Sequence, residues 1–164
     1  MWFCNIIYYY FYRFEIKTQA IISFPIEMIL RTKKVRGAYQ KKNISDPAEI
    51  VRSVVNNPKT GITSIISGGM FYATIFILIF GLFNSTCVLL DIKIDLNKWY
   101  FIIMCIIAST IGYWLTDYKG RYLIYFRMFD KMHKKSKIKW ALISFFTIIS
   151  IWSFSIGAFI LRFC

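Results

Sequence analysis

Residues 61–90 read GITSIISGGMFYATIFILIFGLFNSTCVLL and contain no Asp, Glu, Lys, Arg or His. This run is longer than an ordinary core helix, and a helix needs only about 20 apolar residues to cross the hydrocarbon of a bilayer. Two further apolar runs follow, at 99–116 and 140–161. The sequence therefore predicts an all-α, polytopic membrane protein with three transmembrane helices, at about 62–90, 99–116 and 140–161.

The composition agrees with a membrane protein. Of the 164 residues, 57% are hydrophobic and 20% aromatic, which is more apolar surface than a soluble domain of this length can bury. The net charge of +13 could indicate nucleic-acid binding. The cations lie beside the apolar runs, however, where cytoplasmic retention and attraction to anionic headgroups explain them more simply. Membrane lipids are therefore the expected partner, and nucleic acid is disfavoured.

The charge distribution also predicts an orientation. Residues 31–59 and residues 117–139 each carry eight Lys or Arg and two acids, whereas the loop at 84–98 carries two of each sign. Because Lys and Arg are enriched in cytoplasmic loops, both basic segments are expected in the cytoplasm. The 84–98 loop and the C-terminus are then expected outside.

The first 30 residues form an aromatic N-terminal segment. Residues 6–14 read IIYYYFYRF, and Arg13, Glu15 and Lys17 are too closely spaced for the centre of a bilayer. Tyrosine rings with polar tips favour the headgroup region. We therefore predict a helix in the membrane interface, with its tyrosines toward the lipid carbonyls.

Residues 18–30 are apolar but contain Pro25 and Glu27. Thirteen residues at about 1.5 Å each cannot cross the hydrocarbon, so we predict an interfacial or re-entrant segment. The alternative is a longer, tilted span at 16–30.

Residues 31–61 are predicted to form a basic cytoplasmic linker that contains one short helix. Gly37 is expected to break the linker, within residues 31–42. The sequence DPAE at 46–49 is a strong helix start, since Asp46 can accept hydrogen bonds from free backbone N–H groups and proline fits the first turn. This helix is expected to continue through Val55.

Residues 62–164 are predicted to form the three-span membrane domain, which includes the cytoplasmic basic loop 117–139. Within that loop, aromatic and methionine residues recur at helical spacing: Tyr118, Tyr122, Tyr125, Phe129 and Met132. The pattern predicts an amphipathic helix that continues the second span, with a possible bend at Gly120.

The aromatic face of this helix could enter the membrane interface while its cations meet anionic lipid. The alternatives are a cytoplasmic protein partner or a solvated loop. The residues expected to contact lipid or a partner are Arg121, Arg127, Lys131, Lys134, Lys135, Lys137 and Lys139.

Small residues recur four apart in the spans, and such pairs let helix backbones approach closely. This spacing predicts helix packing, either within the chain or between subunits of an oligomer. The residues concerned are Gly69, Ala73, Ala108, Gly112, Ser153 and Gly157.

No pattern in the sequence indicates an enzyme, so we predict no catalytic residue, cofactor or metal. The cysteines form no C-x-x-C pair, and His133 is the single histidine. The three spans contain no ionisable residue, which argues against proton-coupled transport. The favoured function is a non-enzymatic membrane subunit, accessory or anchoring, that is oligomeric or part of a complex. The alternatives are a homo-oligomeric pore-forming effector, of the toxicity or phage-defence type, and a lipid-modifying enzyme.

Several segments together resemble a family of small, uncharacterised bacterial membrane proteins. They are IIYYYFYRF at 6–14, the span near 70–90, DIKIDLNKW at 91–99 and FRMFDKMHKKSKIKWALISFF at 126–146. Members of that family pair a tyrosine-rich N-terminus with a few spans and a lysine-rich loop before the last span. The resemblance covers about two thirds of the chain, and residues 31–68 depart from it. It implies a bacterial plasma membrane, and it transfers no activity and no functional residue.

Overall fold

The computed structural model describes residues 1–40, 46–92 and 97–163, which are almost entirely helical and contain no strand. A π-helical turn, Tyr113–Asp117, and a 3₁₀ turn, Tyr118–Gly120, lie between the sixth and seventh α-helices. The α-helices in chain order are α1 Trp2–Ile22, α2 Phe24–Leu30, α3 Lys33–Gln40, α4 Pro47–Val55, α5 Ile62–Leu89, α6 Lys98–Gly112, α7 Arg121–Asp130 and α8 Lys134–Phe163.

Three helical stretches are long and apolar enough to cross a membrane: Ile62–Leu89, Lys98–Asp130 and Lys134–Arg162. This confirms the predicted all-α, polytopic class with three spans. The second stretch combines α6, the two tight turns and α7, so the predicted amphipathic continuation of the second span is also confirmed. At 1.5 Å per residue, the 28 residues of α5 extend about 42 Å, which exceeds the hydrocarbon thickness of about 30 Å.

The predicted third span, 140–161, lies within a longer helix that begins at Lys134, so the first turns of that helix carry the lysines that precede the span. One predicted break is wrong. The helix α3 continues through Gly37, where a break was predicted. A glycine inside a helix costs only about 1 kcal/mol relative to alanine, so it does not by itself end a helix. Residues 41–45 of the predicted linker lie outside the described residues.

The short helix α4 is confirmed where the DPAE sequence predicted it. The Asp46 carboxylate accepts hydrogen bonds from the backbone N–H groups of Ala48, at 3.0 Å, and Glu49, at 3.4 Å. Pro47 occupies the first helical position, where its missing N–H costs nothing. The helix ends at Val55, as predicted.

The chain divides into two compact units, residues 1–10 with 69–164 and residues 11–68. The first unit contains the spans and an aromatic cluster, formed by the start of α1 with residues of α5, α7 and α8. Its members are Trp2, Tyr8, Tyr9, Phe71, Tyr122, Phe126, Phe129 and Trp140.

Tyr8, Tyr9 and Tyr12 of α1 lie inside the protein, so the predicted orientation toward lipid carbonyls is wrong for these three tyrosines. Tyr8 and Tyr9 are 3% and 2% exposed. Tyr8 stacks on Phe71 with 5.6 Å between ring centroids, and the Tyr9 hydroxyl donates to Asp130 at 2.6 Å. The rings thus bury their apolar faces against other aromatic residues, and the hydroxyl of Tyr9 finds its partner within the protein.

The second unit is held by polar contacts among α1, α2, α4 and the turn before α5. Arg52 on α4 donates to Glu27 on α2 through two nitrogens, Nη2 to Oε2 at 2.5 Å and Nε to Oε1 at 3.2 Å. The Tyr12 hydroxyl donates to the Asn56 carbonyl at 2.5 Å. Here α1 ends at Ile22 and α2 begins at Phe24, with proline in its first turn, and only Ser23 separates the two helices. The alternative of a tilted span at 16–30 stays a prediction.

Candidate functional site

The second span ends in a sharp change of direction. After α6, the π-helical turn closes at Asp117, and Lys119 and Gly120 then adopt left-handed conformations with φ of 58° and 64°. Two successive left-handed residues cannot continue a right-handed helix. The bend predicted at Gly120 is therefore confirmed, and it sets the direction in which α7 starts.

Polar side chains stabilise this kink from two neighbouring helices. The Tyr72 hydroxyl of α5 donates to the Asp117 carboxylate, and Thr116 Oγ1 donates to the Gly112 carbonyl at 2.8 Å. Asn5 Nδ2 of α1 donates to the Leu115 carbonyl at 3.1 Å. Backbone carbonyls that a helix break leaves without an intrahelical donor need such partners when they are buried.

The kink positions α7 so that one face packs on the aromatic cluster. Tyr122, Phe126 and Phe129 are buried, and Phe126 contacts both Tyr8 and Tyr9 with ring centroids 5.3 and 5.4 Å apart. The hypothesis that the aromatic face of this helix enters the membrane interface is therefore wrong for Tyr122 and Phe129. The N-terminal segment of the same chain covers that face.

The seven cations that were predicted to contact lipid or a partner lie on the opposite side of α7 and at the start of α8. We call this surface the basic face. Two of the seven predicted residues have partners: Arg121 Nη1 lies 3.1 Å from the Met1 sulfur, and Lys137 Nζ donates to the Asp130 carbonyl at 2.8 Å. The other five make no side-chain hydrogen bond or ion pair with any residue that the structure describes. They are Arg127, Lys131, Lys134, Lys135 and Lys139.

The basic face includes the N-terminus of α8, where cations are electrostatically unfavourable. Four of the first six residues of this 30-residue helix are lysines, and its first turn contains no acid. A helix N-terminus carries a partial positive charge and free N–H groups, so it attracts anions and repels lysine. An external anion at this end of α8 would relieve that repulsion and accept hydrogen bonds.

The predicted helix-packing residues separate into two groups. Ala108 and Gly112 are buried, and a Cβ on Gly112 would lie 2.0 Å from the Tyr72 ring, so this pair packs within the chain. The other two pairs are not packed in this way. Cβ atoms placed on Gly69 and Gly157 would meet nothing within 4 Å, and Ala73 and Ser153 are exposed.

The helices α5 and α8 approach closely at Gly81, a residue that was not among the predicted helix-packing residues. A Cβ at Gly81 would lie 2.3 Å from Ser155 Oγ and 2.9 Å from Ser155 Cα. Ser155 Oγ also donates to the Ile77 carbonyl at 2.7 Å. The spacing used to predict helix packing also occurs here, because Gly81 and Ser85 are small residues four apart.

A second polar contact joins α5 and α8 near the C-terminus of both helices. The fully buried Asn84 accepts a hydrogen bond from Arg162 Nη1 at 2.8 Å, and the guanidinium also lies over the Phe83 ring. Asn84 is not among the helix-packing residues predicted from the sequence. Its role as a buried link between helices depends on tertiary packing.

Within the described ranges, no group of three or more His, Cys, Asp and Glu residues could hold a metal ion. Comparisons with protein-family models, curated proteins and solved structures gave no match. The resemblance to small bacterial membrane proteins thus stays a prediction.

Proposed function

We propose that this chain is a non-enzymatic, multi-pass membrane subunit whose basic face contacts anionic lipid headgroups. The observation that carries the proposal is the group of lysines in the first turns of α8, the helix that forms the stretch Lys134–Arg162. Among the described residues, Lys134, Lys135 and Lys139 have no side-chain hydrogen-bond or ion-pair partner. The lysine charges are repelled by the partial positive charge at the helix N-terminus. Phosphate groups of lipids would neutralise both the lysines and this helix end.

The size of the effect supports an anchoring role. Near an anionic leaflet each Lys or Arg contributes about 1 kcal/mol of attraction. Five exposed cations without a side-chain hydrogen-bond or ion-pair partner among the described residues would together orient and hold this end of the bundle, and the apolar spans supply insertion itself. The assigned location is a bacterial plasma membrane, with the basic face in the cytoplasm and the C-terminus outside, following the enrichment of Lys and Arg on the cytoplasmic side.

Retention of an anionic lipid tests the proposal. In native mass spectrometry of the full chain, Lys134→Gln with Lys135→Gln should weaken phosphatidylglycerol binding by about tenfold or more, given roughly 1 kcal/mol per charge. The matched control is Lys17→Gln with Lys59→Gln, which removes two exposed lysines elsewhere and should change binding much less. Equal losses in the two double variants would contradict a specific role of the basic face.

The proposal includes self-association through the small residues that are not packed within the chain. Gly157 has open space around its Cβ position and lies four residues from the exposed Ser153. Small residues at this spacing let a second helix approach closely in lipid.

Gly157→Leu should therefore lower the oligomer size in detergent, measured by multi-angle light scattering. Because the site is open, the substitution should leave the helical content of the subunit unchanged. An unchanged oligomer size, or a wild-type chain that is already monomeric, would remove this role from Gly157.

A further inference from the structure

A polar cavity of about 280 Å³ lies in the second unit, between the end of α2, the helix α3 and the start of α4. Its lining residues are Leu30, Arg31, Arg36, Asp46 and Pro47. At about 30 Å³ per water molecule, this is room for roughly nine waters, or for a small polar group with part of its hydration.

Two arginines, Arg31 and Arg36, line this cavity, and the charge of Arg31 also acts on Glu27. Neither Arg31 nor Arg36 forms a side-chain hydrogen bond or ion pair with the described residues. The nearby Glu27 carboxylate is already bound by Arg52 through two hydrogen bonds. A guanidinium presents a planar set of donors that fits phosphate oxygens, so two of them at one cavity make a site for phosphate.

The cavity also contains one carboxylate, which a simple phosphate site would not need. One oxygen of Asp46, Oδ1, caps α4 by accepting from Ala48 and Glu49. The second oxygen, Oδ2, makes no hydrogen bond to the described part of the chain, so a ligand donor could use it. Two guanidiniums and one carboxylate complement a group that carries a phosphate and an ammonium together.

The surface next to the cavity is apolar and exposed. Four large side chains of α2 are between 55% and 61% exposed: Phe24, Ile26, Met28 and Ile29. The same helix ends in Leu30, which lines the cavity. Exposed apolar patches of this kind mark membrane contacts, and here acyl chains could lie along α2 beside the cavity.

We infer that this cavity binds the headgroup of an aminophospholipid, with the phosphate on Arg31 and Arg36 and the ammonium on Asp46. The inference rests on the proposed membrane residence but concerns a different surface from the basic face. The ligand class is a phosphodiester with a primary ammonium, as in phosphatidylethanolamine. The acyl chains would lie against α2.

Native mass spectrometry of the full chain, titrated with phosphatidylethanolamine and with phosphatidylcholine, tests this inference. Phosphatidylethanolamine should bind about tenfold more tightly, because the trimethylated ammonium cannot donate a charge-assisted hydrogen bond to Asp46. Asp46→Asn should abolish the difference between the two lipids. Asparagine caps a helix as well as aspartate, so α4 should remain folded.

Arg31→Gln with Arg36→Gln should weaken binding of both lipids, with unchanged circular dichroism. Lys134→Gln with Lys135→Gln, the variant that tests the basic face, should leave the phosphatidylethanolamine preference intact. Loss of that preference in the lysine variant, or equal binding of the two lipids by the wild type, would overturn the inference while leaving the effect on phosphatidylglycerol as a separate result.

Two soluble probes distinguish the lipid from free phosphate. Phosphoethanolamine and inorganic phosphate should compete only weakly with phosphatidylethanolamine, since neither can use the apolar surface of α2. Displacement of the lipid by either probe at similar concentrations would show a site for a soluble phosphate and overturn the lipid assignment.

Discussion

At the scale of single residues, the spans are held by close approach and by a few hydrogen bonds. The helices α5 and α8 meet where Gly81 faces Ser155, and α5 meets α6 where Gly112 faces the Tyr72 ring. Lipid tails are as apolar as the side chains they replace, so packing and interhelical hydrogen bonds must supply the association. Small-residue spacing in the sequence selected Gly112 as a packing residue. The spacing could not show which small residues pack within the chain and which face outward.

Gly81→Ala should destabilise the bundle, because the added methyl overlaps both the backbone and the side chain of Ser155. Overpacking of this kind typically costs about 1–3 kcal/mol. Thermal unfolding in detergent, followed by circular dichroism, measures the change. Gly37→Ala in α3 is the matched control, since its methyl would enter open space and alanine favours helix by up to about 1 kcal/mol. Equal stability of the two variants would contradict the described α5–α8 contact.

At the scale of helices, the sequence predicted local features reliably, but it did not predict what each helix packs against. The capped helix α4 could be predicted because Asp46 and Pro47 act on their immediate neighbours. The tyrosines of α1 were misplaced because an amphipathic aromatic residue suits a membrane interface and a protein interior equally well. Their burial depends on α7, which lies more than 100 residues further along the chain.

The contact between α2 and α4 should weaken in acid. The hydrogen bond from Arg52 holds the pKa of Glu27 below its usual 4.5, and the charge on Arg52 adds to this effect. A carboxylate with a lowered pKa stabilises the folded state above its usual pKa, and this contribution is lost as the pH falls through the lowered value. Hydrogen exchange of the α4 amides, corrected for intrinsic rates, should therefore rise relative to neutral pH once the pH drops below 4.5.

Glu27→Gln provides the comparison, because it removes the titrating group and keeps an acceptor for Arg52. The variant should show faster exchange in α4 at neutral pH and little further change in acid. If wild type and variant had the same pH profile, the Glu27–Arg52 pair would not be what couples α2 to α4.

At the scale of the whole molecule, the sequence predicted the three spans because the bilayer hydrocarbon accepts only long apolar helices with few charges. A run such as 61–90, without a single charge, has few alternatives to a membrane helix. The cations of the basic face were also predicted, since charge is read directly from sequence. The kink at Lys119 and Gly120 was predicted only in part. Glycine indicated a bend, but nothing in the sequence indicated that Asn5 and Tyr72 would stabilise it.

Labelling with a membrane-impermeant maleimide tests most directly whether the basic face lies in the cytoplasm. In a chain whose four native cysteines are replaced by serine, Ser136→Cys lies at the exposed start of α8 and Asn97→Cys lies at the exposed start of α6. The Asn97 side chain makes no capping hydrogen bond, so its replacement should be tolerated. In intact bacterial spheroplasts, we expect Asn97→Cys to be labelled and Ser136→Cys to be labelled only after permeabilisation. Labelling of Ser136→Cys from outside, with Asn97→Cys protected, would contradict the account.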